Sequence, residues 1–117
     1  MKVIIAGSRN LWDSDKLVQV AMLIFNKGPD EVVCGGCPGI DIAGWNWAKE
    51  WGDISTKMFT ADWNKHGKSA GPIRNEEMAE YADALVAIWD GESRGTWDMI
   101  RRADKHELRI LVVTVAP

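Results

Sequence analysis

Cysteine is scarce in this chain. Its only thiols are Cys34 and Cys37, too few for a secreted domain stapled by disulfides. Long apolar runs are missing as well, so no segment is expected to span a membrane and no membrane partner is expected. The apolar start, Met1 to Ala6 with one lysine, is too short for the hydrophobic region of a signal peptide, and a cytoplasmic location is expected. Net basic charge is absent: 14 Lys and Arg against 17 Asp and Glu leave −3. That balance argues against a broad grip on nucleic acid or anionic lipid, but it permits a local basic pocket. The only histidines, His66 and His106, lack zinc-finger spacing relative to the cysteines, and no metal is expected. Internal repeats, low-complexity tracts and linkers are also lacking, so residues 1–117 are expected to form one domain.

What is present is globular. Hydrophobic residues make up 46% and charged residues 26%, enough apolar material for a core. Seven residues are tryptophan. Trp45, Trp47 and Trp51 crowd one segment, and most of the seven are expected in the core or a subunit interface.

The periodicities alternate. Lys2–Ala6 is a β-branched apolar run stopped by Gly7 and Ser8, which predicts a buried strand. Asp13 or Ser14 caps a helix running to about Asn26, with Leu17, Val18, Ala21, Met22, Leu23 and Phe25 at helical spacing. Glu31–Cys34 predicts a second strand and Ile40–Trp51 a second helix, closed by Gly52. Ser55–Thr60 predicts a third strand. Ala61–Gly71 reads as a polar loop, long enough to suggest function. Pro72 then opens a helix to about Tyr81. Asp83–Trp89 and Leu108–Val115 predict strands around a helix from Thr96 to about His106. Continuously apolar strands alternating with helices predict a Rossmann-like α/β domain, a parallel sheet of five strands covered on both faces. Right-handed crossovers favour the order 3-2-1-4-5.

In such a sheet, ligands bind beyond the carboxyl ends of the strands. The first strand delivers Gly7, Ser8 and Arg9 there, and the second delivers Gly35, Gly36, Cys37, Pro38, Gly39 and Asp41. After the third come Asp62, Trp63, Lys65, His66 and Lys68, leading to Arg74 and Asn75. After the fourth come Asp90, Glu92, Ser93, Arg94, Gly95 and Thr96. Glycines between a strand and a helix let backbone approach a ligand closely, and the helix start offers free N–H groups to an anion. The same glycines also serve as plain turns, and Thr96 as a plain N-cap. Arg9 and Arg74 are the candidate phosphate forks. Glu77, one turn after Arg74, offers Arg74 an intrahelical partner instead.

Four segments together resemble the SLOG superfamily of Rossmann-like nucleotide-related proteins, most closely its small YspA-type members, bacterial or phage-encoded. They are Ile5–Arg9, Cys34–Asp41, Ala61-Asp62-Trp63 through Gly67–Gly71 to Arg74–Met78, and Ser93–Thr96. The resemblance covers nearly the whole chain. It implies a nucleotide ligand, no further cofactor, and a homo-oligomer, for which the Trp-rich second helix is the candidate face. Within the superfamily, Arg74–Met78 looks like the Arg-Lys-x-x-Met motif of the LOG phosphoribohydrolases, with Asn75 replacing lysine. Gly95-Thr96 looks like part of their Pro-Gly-Gly-x-Gly-Thr-x-x-Glu motif. Met99 stands where that motif has its catalytic glutamate, and a thioether cannot act as acid or base. Asp98 is turned about 100° away along a helix. The Cys34–Gly39 turn also looks like that of the DNA-processing protein A family, which binds single-stranded DNA.

The leading expectation is a nucleotide-binding module. Its ligand-binding candidates are Gly7, Ser8, Arg9, Gly35, Gly36, Gly39, Asp41, Asp62, Trp63, Lys68, Arg74, Asn75, Gly95 and Thr96. Asp41 and Asp62 are assigned to ribose hydroxyls, and Trp63 or Trp89 to the base. The alternatives are a nucleoside monophosphate phosphoribohydrolase, with Arg74, Asp98 and Glu92 as candidate catalytic residues and Asp90 as a further loop carboxylate; single-stranded DNA binding; and a dithiol redox role for Cys34 and Cys37.

Overall fold

The computed structural model describes residues 1–116. Its elements in chain order are β1 (Lys2–Gly7), α1 (Ser14–Phe25), β2 (Glu31–Cys34), α2 (Ile40–Trp51), β3 (Ser55–Met58), α3 (Trp63–His66), a 3₁₀ turn (Gly67–Ser69), α4 (Ala70–Tyr81), β4 (Ala84–Trp89), α5 (Arg94–Lys105) and β5 (Arg109–Thr114). All strands are parallel, in the order β3-β2-β1-β4-β5. This is the predicted α/β architecture. No helix among the described residues is long and apolar enough to cross a membrane.

Side-chain alternation along the strands splits the core in two. Val3, Ile5, Val32, Val86 and Ile88 face α1 and α2. Ile4, Ala6, Val33, Leu85 and Ala87 face the other way, onto Met78 and Ala79 of α4 and Met99 and Ala103 of α5. The period of two explains how continuously apolar strands feed both layers. The chain changes layers between β3 and β4. The strand order therefore reverses beside β1, and the crevice between β1 and β4 is the topological switch point.

Three expectations need correction. The segment 61–71 is not a loop: Asp62 caps α3 by accepting from the Lys65 N–H at 3.0 Å, and α4 starts at Ala70, so Pro72 sits inside its first turn. Proline is tolerated there because the first helical N–H groups lack partners anyway. Likewise α5 begins at Arg94. Ser93, not Thr96, is its cap, with Ser93 Oγ accepting from the Thr96 N–H at 3.4 Å. The edge strands are not buried on both faces, since β3 is mostly exposed and β5 alternates.

No tryptophan is fully buried, although Trp47 packs against the core on the α1–α2 side. Trp12, Trp51, Trp63 and Trp97 are all about half exposed or more, and Trp45, Trp47 and Trp89 are half-buried. Small residues take the interior places an indole would overfill. Gly44 of α2 is an example: a Cβ there would lie 2.7 Å from the Ile5 side chain.

Candidate functional site

At the carboxyl end of β1 opens a cavity of about 530 Å³. Its floor is Ala6, Gly7 and Met78. Its walls come from the turn after β2, from the start of α4, and from α5. Four arginines reach it (Arg9, Arg74, Arg94 and Arg101) against two carboxylates, Asp41 and Asp98. The chain as a whole carries −3, so this excess of positive charge is a local construction.

Arg74 is the buried member. Its Nη1 donates to the Gly35 carbonyl at 2.7 Å, its Nε to Asn75 Oδ1 at 3.2 Å, and its Nη2 lies 3.8 Å from Cys37 Sγ. Glu77 does not pair with it. This packing accounts for Gly35, because a Cβ there would lie 2.6 Å from Arg74 Nη1. Gly39 has a positive φ of 88°, and its Cβ would lie 2.7 Å from the Arg9 carbonyl oxygen. The glycine-rich turn thus lets Arg74 pass beneath it and lets the β1 loop pass beside it. Gly35, Gly36 and Gly39 are not part of the cavity wall.

In the first turn of α2 lies a buried carboxylate. Asp41 is 5% exposed and accepts from the Cys37 N–H at 3.3 Å. Burial pushes its pKa up to about 6, opposed by the N–H groups of Cys37, Gly7 and Gly35 and by Arg74. A buried carboxylate thus ties α2 to the turn before it and to the end of β1. Asp41 still touches the cavity, with its carboxylate directed to the turn.

The start of α5 is different. The Asp90 carboxylate accepts from the N–H groups of Glu92 and Ser93, at 2.8 and 2.7 Å, and Ser93 caps the Thr96 N–H. The N–H groups of Arg94 and Gly95, the first two of the helix, are left for solvent or a ligand. A Cβ on Gly95 would meet nothing within 4 Å. Here the backbone itself faces the cavity.

The turn of α5 also separates two neighbouring side chains. Met99, 1% exposed, lies in the core, and Asp98 lies on the cavity wall. Asp98 Oδ2 accepts from Asn75 Nδ2 and Arg102 Nε, both at 2.9 Å. These donors fix the carboxylate and offset its charge. Arg102 continues to Glu76 at 3.1 Å, and Glu76 to His106 at 2.7 Å. Glu76, Glu80 and His106 hold three potential ligand atoms within 4.8 Å of one another. Arg102 already shares Glu76, which makes the group an ion-pair knot between α4 and α5.

Several sequence candidates stand off the cavity. Ser8 is buried and its Oγ accepts from the Asp90 N–H at 3.2 Å, tying β1 to the loop after β4. Asp62 is spent as the α3 cap. Lys68 and Glu92 are exposed outside the wall. Trp89 is replaced there by Trp97, which stacks on it at 5.5 Å and 16°. Trp89 Nε1 donates in turn to the Ser93 carbonyl at 3.1 Å. Gly7, Arg9, Asp41, Trp63, Arg74, Asn75, Gly95 and Thr96 do come together. Trp97 and Arg101 are additions that sequence reasoning misses, and Arg94 joins them from the rim. Their i, i+3, i+7 spacing is the available signal, obscured when the helix is started at Thr96. Cys34 is fully buried, and burial pushes its thiol up to about 11, which makes it a poor partner for thiol exchange. Cys37 lies on the cavity wall between Arg74 and Arg9, whose Nη2 is 3.7 Å from its sulfur.

The chain is 34% identical over 120 residues to the Gene 61 protein of Mycobacterium phage D29, and 94% of each chain is covered. No family model and no solved structure matches it.

Proposed function

The chain belongs to one family with the Gene 61 protein of Mycobacterium phage D29, and we propose that this protein binds a phosphate-bearing nucleotide in the cavity at the β1–β4 switch point. One observation carries the reading: an acidic chain lines the cavity at the open start of α5 with Arg9, Arg74 and Arg94, where Gly95 leaves the backbone accessible. Arginine forks and unpaired helical N–H groups are complementary to phosphate oxygens. Trp63 and Trp97 supply apolar faces for a base. The resemblance to the SLOG superfamily supports the same class of ligand.

The test is a thermal shift against nucleoside mono-, di- and triphosphates, ADP-ribose, cyclic nucleotides and a short single-stranded DNA. Ligand at a hundred times its Kd stabilises by about 2.7 kcal/mol. A shift with one nucleotide class, lost in Gly95→Val, is the expected result. Valine there projects into open space, so it blocks the cavity without crowding the fold. A flat panel from a cooperatively folding protein overturns the reading.

A phosphoribohydrolase is the second reading, favoured by the Asp98 carboxylate on the cavity wall. Asn75 and Arg102 both hold its Oδ2, so Oδ1 is the atom that would steady a ribosyl cation, and the group is not a free base. Release of free base from a nucleoside monophosphate, lost in Asp98→Asn, would establish this activity.

A further inference from the structure

The α5 wall of the cavity has an order of its own. Arg94, Trp97 and Arg101 follow one another at i, i+3 and i+7 and all reach the cavity. At 1.5 Å per residue, Arg101 lies about 10 Å further along the helix than Arg94, with Trp97 between them. Trp97 is held in place by its stack on Trp89 and yet is 48% exposed. An indole fixed in position but left half open suits contact with a planar ligand.

Arg101 is the informative residue. The nearby Asp98 is already met by Arg102 and Asn75 at 2.9 Å, and Arg101 reaches Asp98 only at 3.8 Å, with its side chain 60% exposed. Its charge is therefore largely uncommitted, two helical turns beyond the site where a first phosphate would bind. A nucleoside monophosphate has one anionic end. Bound with its phosphate at Gly95 and its base at Trp97, it would leave Arg101 facing water.

We infer that the natural ligand carries two phosphate groups on either side of one ribose, whose base branches off towards Trp97, as in a nucleoside 3′,5′-bisphosphate or a 5′-phosphorylated dinucleotide. This inference rests on the nucleotide-binding reading above. Arg94 and the α5 N–H groups take one phosphate, Trp97 the base, and Arg101 the second phosphate. Arg101 thereby selects among nucleotides without being needed for the first contact.

The experiment is titration calorimetry of the full chain with three probes in each of the four common bases: the 5′-monophosphate, the 3′,5′-bisphosphate and the 5′-phosphorylated dinucleotide. The wild type should bind a two-phosphate probe about tenfold tighter than the matching monophosphate, as one charge-assisted contact allows. Arg101→Gln should erase that preference and leave monophosphate affinity within about twofold. Arg94→Gln should weaken every probe. Arg101 is on the surface, so its variant keeps the fold, and an unchanged melting curve checks this. The tighter of the two-phosphate probes identifies the ligand class. Binding of monophosphate with no preference, or an Arg101→Gln variant that keeps the preference, overturns this inference and leaves the nucleotide-binding reading standing. No binding of any probe counts against both.

Discussion

The strand-end cavity and the groove between α1 and α2 are comparable in size, about 530 and about 680 Å³, and differ in almost everything else. The larger groove is lined by Met22, Leu23, Trp47, Trp51 and Ile54, with Lys27 and Glu50 among its few charges and no arginine. Its surroundings are loose: Leu23 is 77% exposed and Trp51 63%, and Trp47 and Trp51 meet at a 55° tilt. The smaller cavity is held by a network of named donors and acceptors and by close backbone contacts. A concave apolar surface arises wherever two helices diverge. A concave surface with fixed, partly uncommitted cations requires many positions to agree, and for that reason we place the ligand in the smaller one.

Glycine substitutions break the comparison most sharply. Gly7 lines the strand-end cavity, and a Cβ there would lie 2.4 Å from the Ile88 carbonyl oxygen and 2.8 Å from Ile40. Neither backbone nor core can yield cheaply, so Gly7→Ala should cost about 3 kcal/mol or more and abolish ligand binding. Urea unfolding with an unchanged slope measures the first effect, and calorimetry the second.

Next in size is the pH response. Asp41 in the folded protein titrates at about 6 against an ordinary 3.8. The folded state keeps a proton that the unfolded chain has released. Stability from this group is therefore complete below about pH 4 and is lost as the pH rises through about 6, in total roughly 2–3 kcal/mol. Asp41→Asn should flatten the stability profile between about pH 4 and pH 6. An unaltered slope in urea titrations across that range would show that the buried carboxyl is not the cause.

The smallest effect belongs to the groove. Gly28 lines it, has no positive φ, and a Cβ there would meet nothing within 4 Å. Gly28→Ala should be neutral or stabilise by up to about 1 kcal/mol through the unfolded chain, with ligand affinity unchanged. A loss of nucleotide affinity in this variant would move attention to the groove.

Much of the fold is legible because its signals are local. The apolar runs at 2–6 and 84–89, the stops at Lys27-Gly28-Pro29 and Gly52, and the strict alternation of strand and helix require only steric and solvation preferences of neighbouring residues. The segment 61–71 misleads for the same reason. Its polarity resembles a loop, and its helical turns depend on the Asp62 cap and on Trp63 packing near Gly71, at 3.5 Å from a Cβ position there.

The site is only partly legible. Arg9, Arg74, Gly95 and the carboxyl-end location follow from sequence order and the strand-end rule. The roles do not. Arg74 reads as a ligand fork, and the structure adds a second role for it as the prop under the β2 turn; Asp41 reads as a ribose contact, and its carboxylate is turned to the Cys37 N–H of that turn. Arg101 carries only its i, i+3, i+7 spacing with Arg94 and Trp97, a signal hidden when the helix is started at Thr96.

By itself, then, the sequence determined the element types outside 61–71, the parallel five-stranded order and the rim on which the glycines and arginines gather. All of these follow from periodicity, chirality and short-range sterics. Only the tertiary structure decided which side of α5 faces the cavity, so that Met99 is core and Asp98 is wall, and which arginines keep uncommitted charge. Those outcomes depend on helix phase and on partners tens of residues away, such as Gly35 for Arg74 and Asn75 for Asp98. No short window along the chain contains both members of such a pair.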